Sequence, residues 1–199
     1  MAEHSRYNVN SKSSELENGI LKNELDIKNQ KDLEDIESIL LADSYFHFSQ
    51  QIELIEINLK FLFKLNKYFL GNIYSWAGKL RNVDISKNQT LFAPAIHLKQ
   101  TLKQFEKILK ENTPSKKDTK QQIAKKIAII HCELNAIHPF REGNGRTIRL
   151  FIDLICQKFG YKNIDYSKSS KPSYVKACIL GMNMDYSKME KIIYKGLTP

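Results

Sequence analysis

Hydrophobic side chains recur at helical spacing over most of the chain. The first such run extends from about Gln30 to Ala42 and has acidic residues in its opening turn, where a helix dipole favours them. A second run covers about Gln51 to Tyr74, and a third covers about Leu98 to Lys110. After a short polar break the pattern restarts near Lys120. The chain is therefore predicted to be mostly helical.

Two of the predicted helices meet at a short glycine-rich turn. The first runs from Gln121 into His138, and Pro139 ends it. The second begins shortly afterwards and carries apolar residues at helical spacing from Ile148 to Phe159, with a glycine next in the sequence as a C-terminal cap. The turn between them therefore lies directly at a helix N-terminus.

One stretch has the pattern of β-strands instead. Ile85 precedes the polar run 86–89, and Leu91 and Phe92 follow it, which predicts a short hairpin. Because two strands alone are only marginally stable, this hairpin must rest on the helices. There it can serve either as a flap or as a plain connector.

Length and composition favour one domain without a membrane span. We assign residues 1–19 to a polar N-terminal segment, for which a regulatory role is one interpretation. Residues 20–199 form the single predicted domain. Cys132, Cys156 and Cys178 are too widely spaced for a zinc motif and lie among apolar neighbours, which is typical of buried, reduced thiols. The N-terminus lacks the apolar core of a signal peptide. We expect a cytoplasmic protein, although a secreted effector with an uncleaved signal would look the same.

The positive charge is regional. The net charge is +9, but the first 59 residues hold five basic and twelve acidic side chains, so the basic excess lies in the rest of the chain. Between Lys99 and Lys126 there are nine lysines and three acids. These lysines are spread around the helix faces without a row of aromatic residues, so a solvated surface explains them better than a nucleic-acid site.

Arginine and glycine are concentrated near the glycine turn. Only five arginines are present, and Arg146 and Arg149 fall three residues apart in the predicted helix that follows the turn. Gly143 and Gly145 allow backbone N–H groups to approach an anion closely, and the helix dipole adds positive potential. The pattern predicts a binding site for a polyphosphate.

Two further residues suggest chemistry at this site. Glu142 would be repelled by bare phosphate, but it suits a divalent metal ion held between carboxylate and phosphate. His138 has the ordinary pKa range of a general base, although a lone histidine at a helix end is more often structural. Phe140 is expected to anchor the loop in the core.

The segment from His138 to Arg149 resembles the signature of Fic-domain proteins, His-x-Phe-x-Asp/Glu-Gly-Asn-Gly-Arg-x-x-Arg, at every specified position. Further similarity lies at Leu33–Glu37, at Tyr74–Arg81 and in the hairpin, so the resemblance covers about residues 20–197. It implies an all-α, Fic-type helical bundle with a β-hairpin flap. It also implies a protein adenylyltransferase, which transfers AMP from ATP to a Tyr, Ser or Thr hydroxyl of a target protein.

The resemblance implies a role for each residue of the motif. His138 would deprotonate the attacking hydroxyl, and Glu142 would hold Mg²⁺. The phosphates would be bound by Gly143, Asn144, Gly145, Arg146 and Arg149, with the side chain of Asn144 near the α-phosphate. The flap would pair with an extended segment of the target; its docking residues would be Ile85, Ser86, Lys87, Thr90, Leu91 and Phe92.

Alternatives remain for activity and regulation. Doc-like relatives transfer phosphate and have lysine in place of Gly145, so this glycine argues against that reading. A non-catalytic basic binding module is the other function class. Ser13 and Glu17 fit an inhibitory pattern whose glutamate would pair with Arg149. The alternative is a helix-capping box formed by Ser14 and Glu17. A separate antitoxin chain or a homo-oligomer is equally compatible with the sequence.

Overall fold

The computed structural model describes residues 7–9, 16–17, 19–87 and 90–199. Most of these residues are helical, in agreement with the predicted all-α class. The helices are α1 (Gln30–Ser49), α2 (Leu59–Leu70), α3 (Leu98–Asn112), α4 (Lys120–Ile137), α5 (Asn144–Lys158), α6 (Lys171–Met182) and α7 (Ser187–Gly196). Single turns of 3₁₀ helix occur at Ile52–Leu54, Ala95–His97 and Tyr166–Lys168.

The core is built around α4 and α5. Both helices bury most of their apolar residues, and α4 packs against α3, α5, α6 and α7. A second, smaller cluster lies where α1 meets the end of α2, with Leu33, Phe69 and Tyr74 at its centre. The α4–α5 junction, which carries the glycine turn, is thus held by packing from both sides.

Local sequence sets the helix boundaries. The side chain of Asn58 accepts a hydrogen bond from the Phe61 backbone N–H at 2.8 Å, so α2 begins at Leu59. The predicted start near Gln51 was therefore wrong, whereas the predicted break at Gly71 is confirmed. Thr119 and Gln122 form a reciprocal capping box that starts α4 close to the predicted position.

In the described part of the chain, five short strands form two small sheets. The predicted hairpin is present as β4 (Ile85–Lys87) and β5 (Thr90–Leu91). Three further strands were not predicted, namely β1 (Asn8–Val9), β2 (Leu16–Glu17) and β3 (Ile20–Leu21). Strand β1 pairs antiparallel with β4, which gives the sheet order β1–β4–β5.

Strands β2 and β3 form a hairpin across the predicted boundary at residue 19. Leu16 pairs with Leu21, and Glu17 pairs with Ile20. Gly19 has φ +82°, a conformation that suits the second residue of a tight hairpin turn. Leu16 and Glu17, which the sequence analysis assigned to the polar segment, thus pair with two residues that it assigned to the domain.

Candidate functional site

The candidate site lies where α4 ends and α5 begins. His138 caps α4 in the left-handed conformation, with φ +45° and ψ +66°. Gly143, with φ +74°, caps the start of α5, and a Cβ atom added there would lie 2.6 Å from a methyl carbon of Leu70. Only glycine fits this position without movement of α2. The loop therefore presents its backbone at the positive end of the α5 dipole.

The side chain of Asn144 closes this loop. Its Oδ1 accepts a hydrogen bond from the Phe140 N–H at 2.8 Å, and its Nδ2 donates to the Phe140 carbonyl at 2.7 Å. Phe140 is fully buried and packs edge-on against Phe63, as expected of a core anchor. The amide predicted to lie near the α-phosphate thus holds the loop shape, a role that the sequence did not reveal.

His138 is buried and lies under the flap. Its ring stacks on Phe92 with centroids 3.7 Å apart and 14° between the planes. The pKa of His138 is lowered to about 3, mainly by burial. A hydrogen bond to the Asn135 carbonyl raises this pKa, whereas the positive charges of Arg81 and Lys87 lower it. The imidazole is therefore neutral at pH 7.

The tautomer of His138 follows from its neighbour. Nδ1 contacts the backbone carbonyl of Asn135, which can only accept a hydrogen bond. Nδ1 must therefore carry the proton, and the lone pair lies on Nε2. A neutral histidine with its lone pair on Nε2 is the form that a general base requires.

Arg81 ties the flap to the end of α4. Its side chain donates to the carbonyl oxygens of His138 at 2.8 Å, Val83 at 2.7 Å and Ile137 at 3.2 Å, and also to that of Ala93. The guanidinium is fully buried. We did not assign Arg81 a role from the sequence, although its rarity among 31 cations was a signal.

The two arginines of the motif face different partners. Arg146 Nη1 forms a 2.6 Å ion pair with Glu37 Oε2 on α1, and its guanidinium lies over the Phe69 ring. Arg149 lies near Tyr174 on α6, and against the effect of burial the charge of Tyr174 raises the pKa of the guanidinium. From the sequence, Arg146 and Arg149 were predicted to project towards one anion, and neither Glu37 nor Tyr174 was predicted as a neighbour. Glu37 falls in a segment that carries the family resemblance, whereas no sequence signal singled out Tyr174.

Glu142 lies beside the glycine turn and is buried. Its Oε1 accepts a hydrogen bond from the Gly143 N–H at 2.9 Å. The pKa of Tyr74 is raised by burial and by the charges of Glu37 and Glu142, which shows that Glu142 lies near the Glu37–Arg146 pair. Among the described residues no cluster of three or more His, Cys, Asp or Glu side chains could hold a metal ion.

The structure does not bring Glu17, one of the two predicted inhibitory residues, to Arg149. Glu17 is in strand β2, is half exposed and forms a 3.0 Å ion pair with Lys28. Ser13 lies outside the described residues. Glu17 lies in a strand and not in the first turn of a helix, where the capping box considered for this residue would place it.

The flap residues are divided between the inside and the edge of the sheet. Ile85, Ser86 and Lys87 form the central strand β4, with β1 on one side and β5 on the other. Thr90 and Leu91 form β5, and the side chain of Leu91 is 69% exposed. Phe92 follows directly and its ring stacks on that of His138, so the flap contacts the end of α4 next to the glycine turn.

No helix in the described part of the chain is long and apolar enough to cross a membrane.

Comparison with known proteins agrees with this geometry. The family model described as "Fic/DOC family" matches residues 56–156. The chain is 31% identical to "Protein adenylyltransferase VbhT" of Bartonella schoenbuchensis, over 92% of this chain and 38% of that protein. It is 27% identical to "Probable protein adenylyltransferase y4lH" of Sinorhizobium fredii, over 85% of this chain and 87% of that protein.

A solved structure has the same fold. The N-terminal Fic domain of a putative cell filamentation protein from Bartonella quintana, a structure with bound ADP, superposes with a TM-score of 0.75 at 25% identity. The match covers 90% of this chain and 91% of that one. The matched family model and the sequence relatives show that the chain belongs to the Fic/DOC family, and the shared fold agrees with them.

Proposed function

We propose that the chain is a protein adenylyltransferase, which transfers AMP from ATP to a hydroxyl of a target protein and releases pyrophosphate. The observation that carries this proposal is the neutral His138, buried under the flap and directly before the glycine turn of α5. Two relatives named as adenylyltransferases and a family structure with bound ADP support it. The chain spans only 38% of the length of one of them, VbhT.

The glycine turn supplies the phosphate site. Backbone N–H groups at the start of α5 have no partner within the helix, and the dipole makes this end positive. Gly143 keeps the approach open because it carries no side chain. Arg146 and Arg149 on the first turns of α5 add two cations for the terminal phosphates. The site is thus suited to a nucleoside triphosphate.

His138 acts as the general base. The target hydroxyl loses its proton to Nε2 of His138 while its oxygen forms a bond to the α-phosphorus of ATP. The bond between the α-phosphorus and the bridging oxygen breaks, and the electron pair leaves with pyrophosphate. The Nδ1–H···O hydrogen bond to Asn135 stabilises the imidazolium that forms.

Glu142 suits Mg²⁺ bound together with ATP. The protein supplies one hard carboxylate here, and Mg²⁺ in nucleotide sites commonly takes one or two carboxylates, with phosphate oxygens and water as its other ligands. When bound, the ion would neutralise charge on the departing pyrophosphate. Glu142 would hold it against the phosphates, and the Gly143 N–H would orient the carboxylate.

The target segment would pair with the outer edge of β5. Strand β4 already has β1 and β5 as neighbours, so its edges are taken. Backbone groups of Thr90 and Leu91 can extend the sheet by one antiparallel strand, as in other strand-addition complexes. Phe92 stacks on His138, so a strand beside β5 would carry its hydroxyl close to the base.

The proposal is tested with labelled ATP, Mg²⁺ and cell lysate, followed by mass spectrometry of modified hydroxyls. His138→Asn should abolish labelling while ATP binding remains, because Asn tolerates the left-handed backbone but is not a base. His97→Ala, at an exposed histidine, is the matched control and should label normally. Equal labelling by the His138 variant would refute the proposed base.

The same spectra decide between the two transfer reactions of the family. An added AMP supports adenylyl transfer, whereas an added phosphate would indicate the Doc-like reaction. Gly145 favours the former, because Doc-like relatives have lysine at this position of the motif.

A further inference from the structure

Strand β1 brings the N-terminal segment to the catalytic base. Asn8 pairs with Ser86 and Val9 pairs with Ile85, both on the flap strand β4. The preceding residue, Tyr7, is only 5% exposed, although it belongs to the polar N-terminal part of the chain. The backbone pairing of Asn8 and Val9 with β4 therefore holds Tyr7 next to His138, which lies more than a hundred residues further along the chain.

Tyr7 completes a cluster of three rings. His138 and Phe92 are stacked, and Tyr7 stands nearly perpendicular to both. The Tyr7 centroid lies 5.6 Å from the centroid of His138 and 6.0 Å from that of Phe92. These are favourable edge-to-face distances, and the Lys87 ammonium lies 5.6 Å from the Tyr7 centroid on the flap side.

The His138 ring needs such support. Its backbone has φ +45°, an unusual conformation for a residue with a side chain, and its position depends on surrounding contacts. The Asn135 carbonyl fixes Nδ1 and Phe92 covers one face. Tyr7 restricts rotation of the ring from the side, which neither of the other two contacts does.

We propose that Tyr7 is a positioning residue, which strand β1 holds in place so that its ring keeps the His138 imidazole oriented beneath the flap. The expected effect on kcat rests on the proposed function, because it requires adenylyl transfer. The effect of Tyr7 on the orientation of His138 requires neither ATP nor a target protein. The N-terminal segment thereby becomes part of the catalytic apparatus and not an appendage to it.

Loss of the Tyr7 ring should expose His138 to water. Burial is the largest cause of the lowered pKa of His138, ahead of the effects of Arg81, Lys87 and His131. In Tyr7→Ala, histidine NMR without nucleotide should therefore record a His138 pKa that rises towards its ordinary value of about 6.5. Tyr7→Phe keeps the ring and should retain the lowered pKa. Tyr194→Ala, at a tyrosine on α7 that contacts Lys120, is the matched control.

The kinetic readout uses the same variants. Adenylylation by Tyr7→Ala should show a kcat lower by about tenfold to a hundredfold with an unchanged KM for ATP, because the base is misplaced and the phosphate site is intact. Tyr7→Phe should restore kcat. If Tyr7→Ala does not fold, as judged by circular dichroism, Tyr7→Leu replaces it, since leucine keeps apolar bulk without a ring.

The outcomes separate this inference from the proposed function. A parent-like His138 pKa in a folded Tyr7→Ala protein overturns the inference, as does an equal pKa change in Tyr7→Phe. Where Tyr7→Leu is used instead, a parent-like kcat overturns it. A Tyr7-dependent pKa in a protein that labels no target supports the positioning role and overturns only the adenylyltransferase proposal.

Discussion

The buried ion pair between Glu37 and Arg146 offers a quantitative test of how the site is held. The side chains are 4% and 12% exposed, and Nη1 of Arg146 lies 2.6 Å from Oε2 of Glu37. The hydroxyl of Tyr74 donates to Glu37 Oε1 at 3.0 Å. Glu37→Leu leaves the guanidinium without its counter-charge, for which losses of about 3–5 kcal/mol are typical.

We expect the lower end of that range, about 3 kcal/mol, because Arg146 also lies 4.9 Å from the Phe69 centroid and retains a cation–π contact. Arg146→Met should cost a similar amount, since it leaves the Glu37 carboxylate buried. The double variant removes both charges, and replacement of a whole buried pair by apolar residues is often nearly neutral. The coupling energy is the sum of the two single losses minus the loss in the double variant, and it should therefore be about 6 kcal/mol.

Urea unfolding at pH 7 measures these differences. Trp76, the single tryptophan, stacks on Tyr74 at 4.4 Å between centroids, so its fluorescence reports on this part of the core. Additive losses in the double variant, with a coupling below about 0.5 kcal/mol, would refute the reasoning. ATP should also stabilise Glu37→Leu more than the parent, because the phosphates would supply the missing negative charge.

Four other predictions follow from single contacts. Arg81→Lys should lower the unfolding free energy by at least about 2 kcal/mol, because one ammonium cannot reach all the carbonyl groups that the guanidinium binds, and urea titration measures this. Gly143→Ala should weaken ATP binding and stability together in calorimetry, whereas Gly145→Ala should fold normally, since its added Cβ makes only an ordinary contact. Glu17→Gly should leave ATP binding unchanged, because Glu17 pairs with Lys28; a gain would revive the inhibitory reading. Burial lowers the pKa of His131 to about 3 in the folded state. As the pH drops, the unfolded state therefore binds a proton before the folded state does, and the unfolding free energy should fall between about pH 6.5 and pH 3. His131→Gln should make this fall smaller in urea titrations across that pH range.

The helices were predictable from the sequence where apolar periodicity and caps agree. The start of α4 followed from its apolar pattern after a polar break, and the start of α5 followed from the glycine turn. The predicted start of α2 failed because apolar residues continue through the 3₁₀ turn before Asn58, and only the cap marks the true boundary. Strands of two residues carry too little pattern to detect, so β1, β2 and β3 were not predicted.

The site was predictable as a motif but not as a set of contacts. His138 and the glycine turn are close in sequence, so their proximity follows from local structure. Glu37, Arg81 and Tyr7 reach the site from other elements, and their partners depend on how the helices pack. Such long-range contacts leave no periodic signal in a single sequence.

The short strands of the flap also bear on how the protein behaves in concentrated solution. The edge strand β1 is only two residues long, and an edge this short offers few backbone groups to which another copy of the chain could add. Strand β1 in particular shields the side of β4 that would otherwise be open. A shortened protein without residues 7–9 would present that side to its neighbours, and we expect it to self-associate at concentrations at which the full chain stays dispersed.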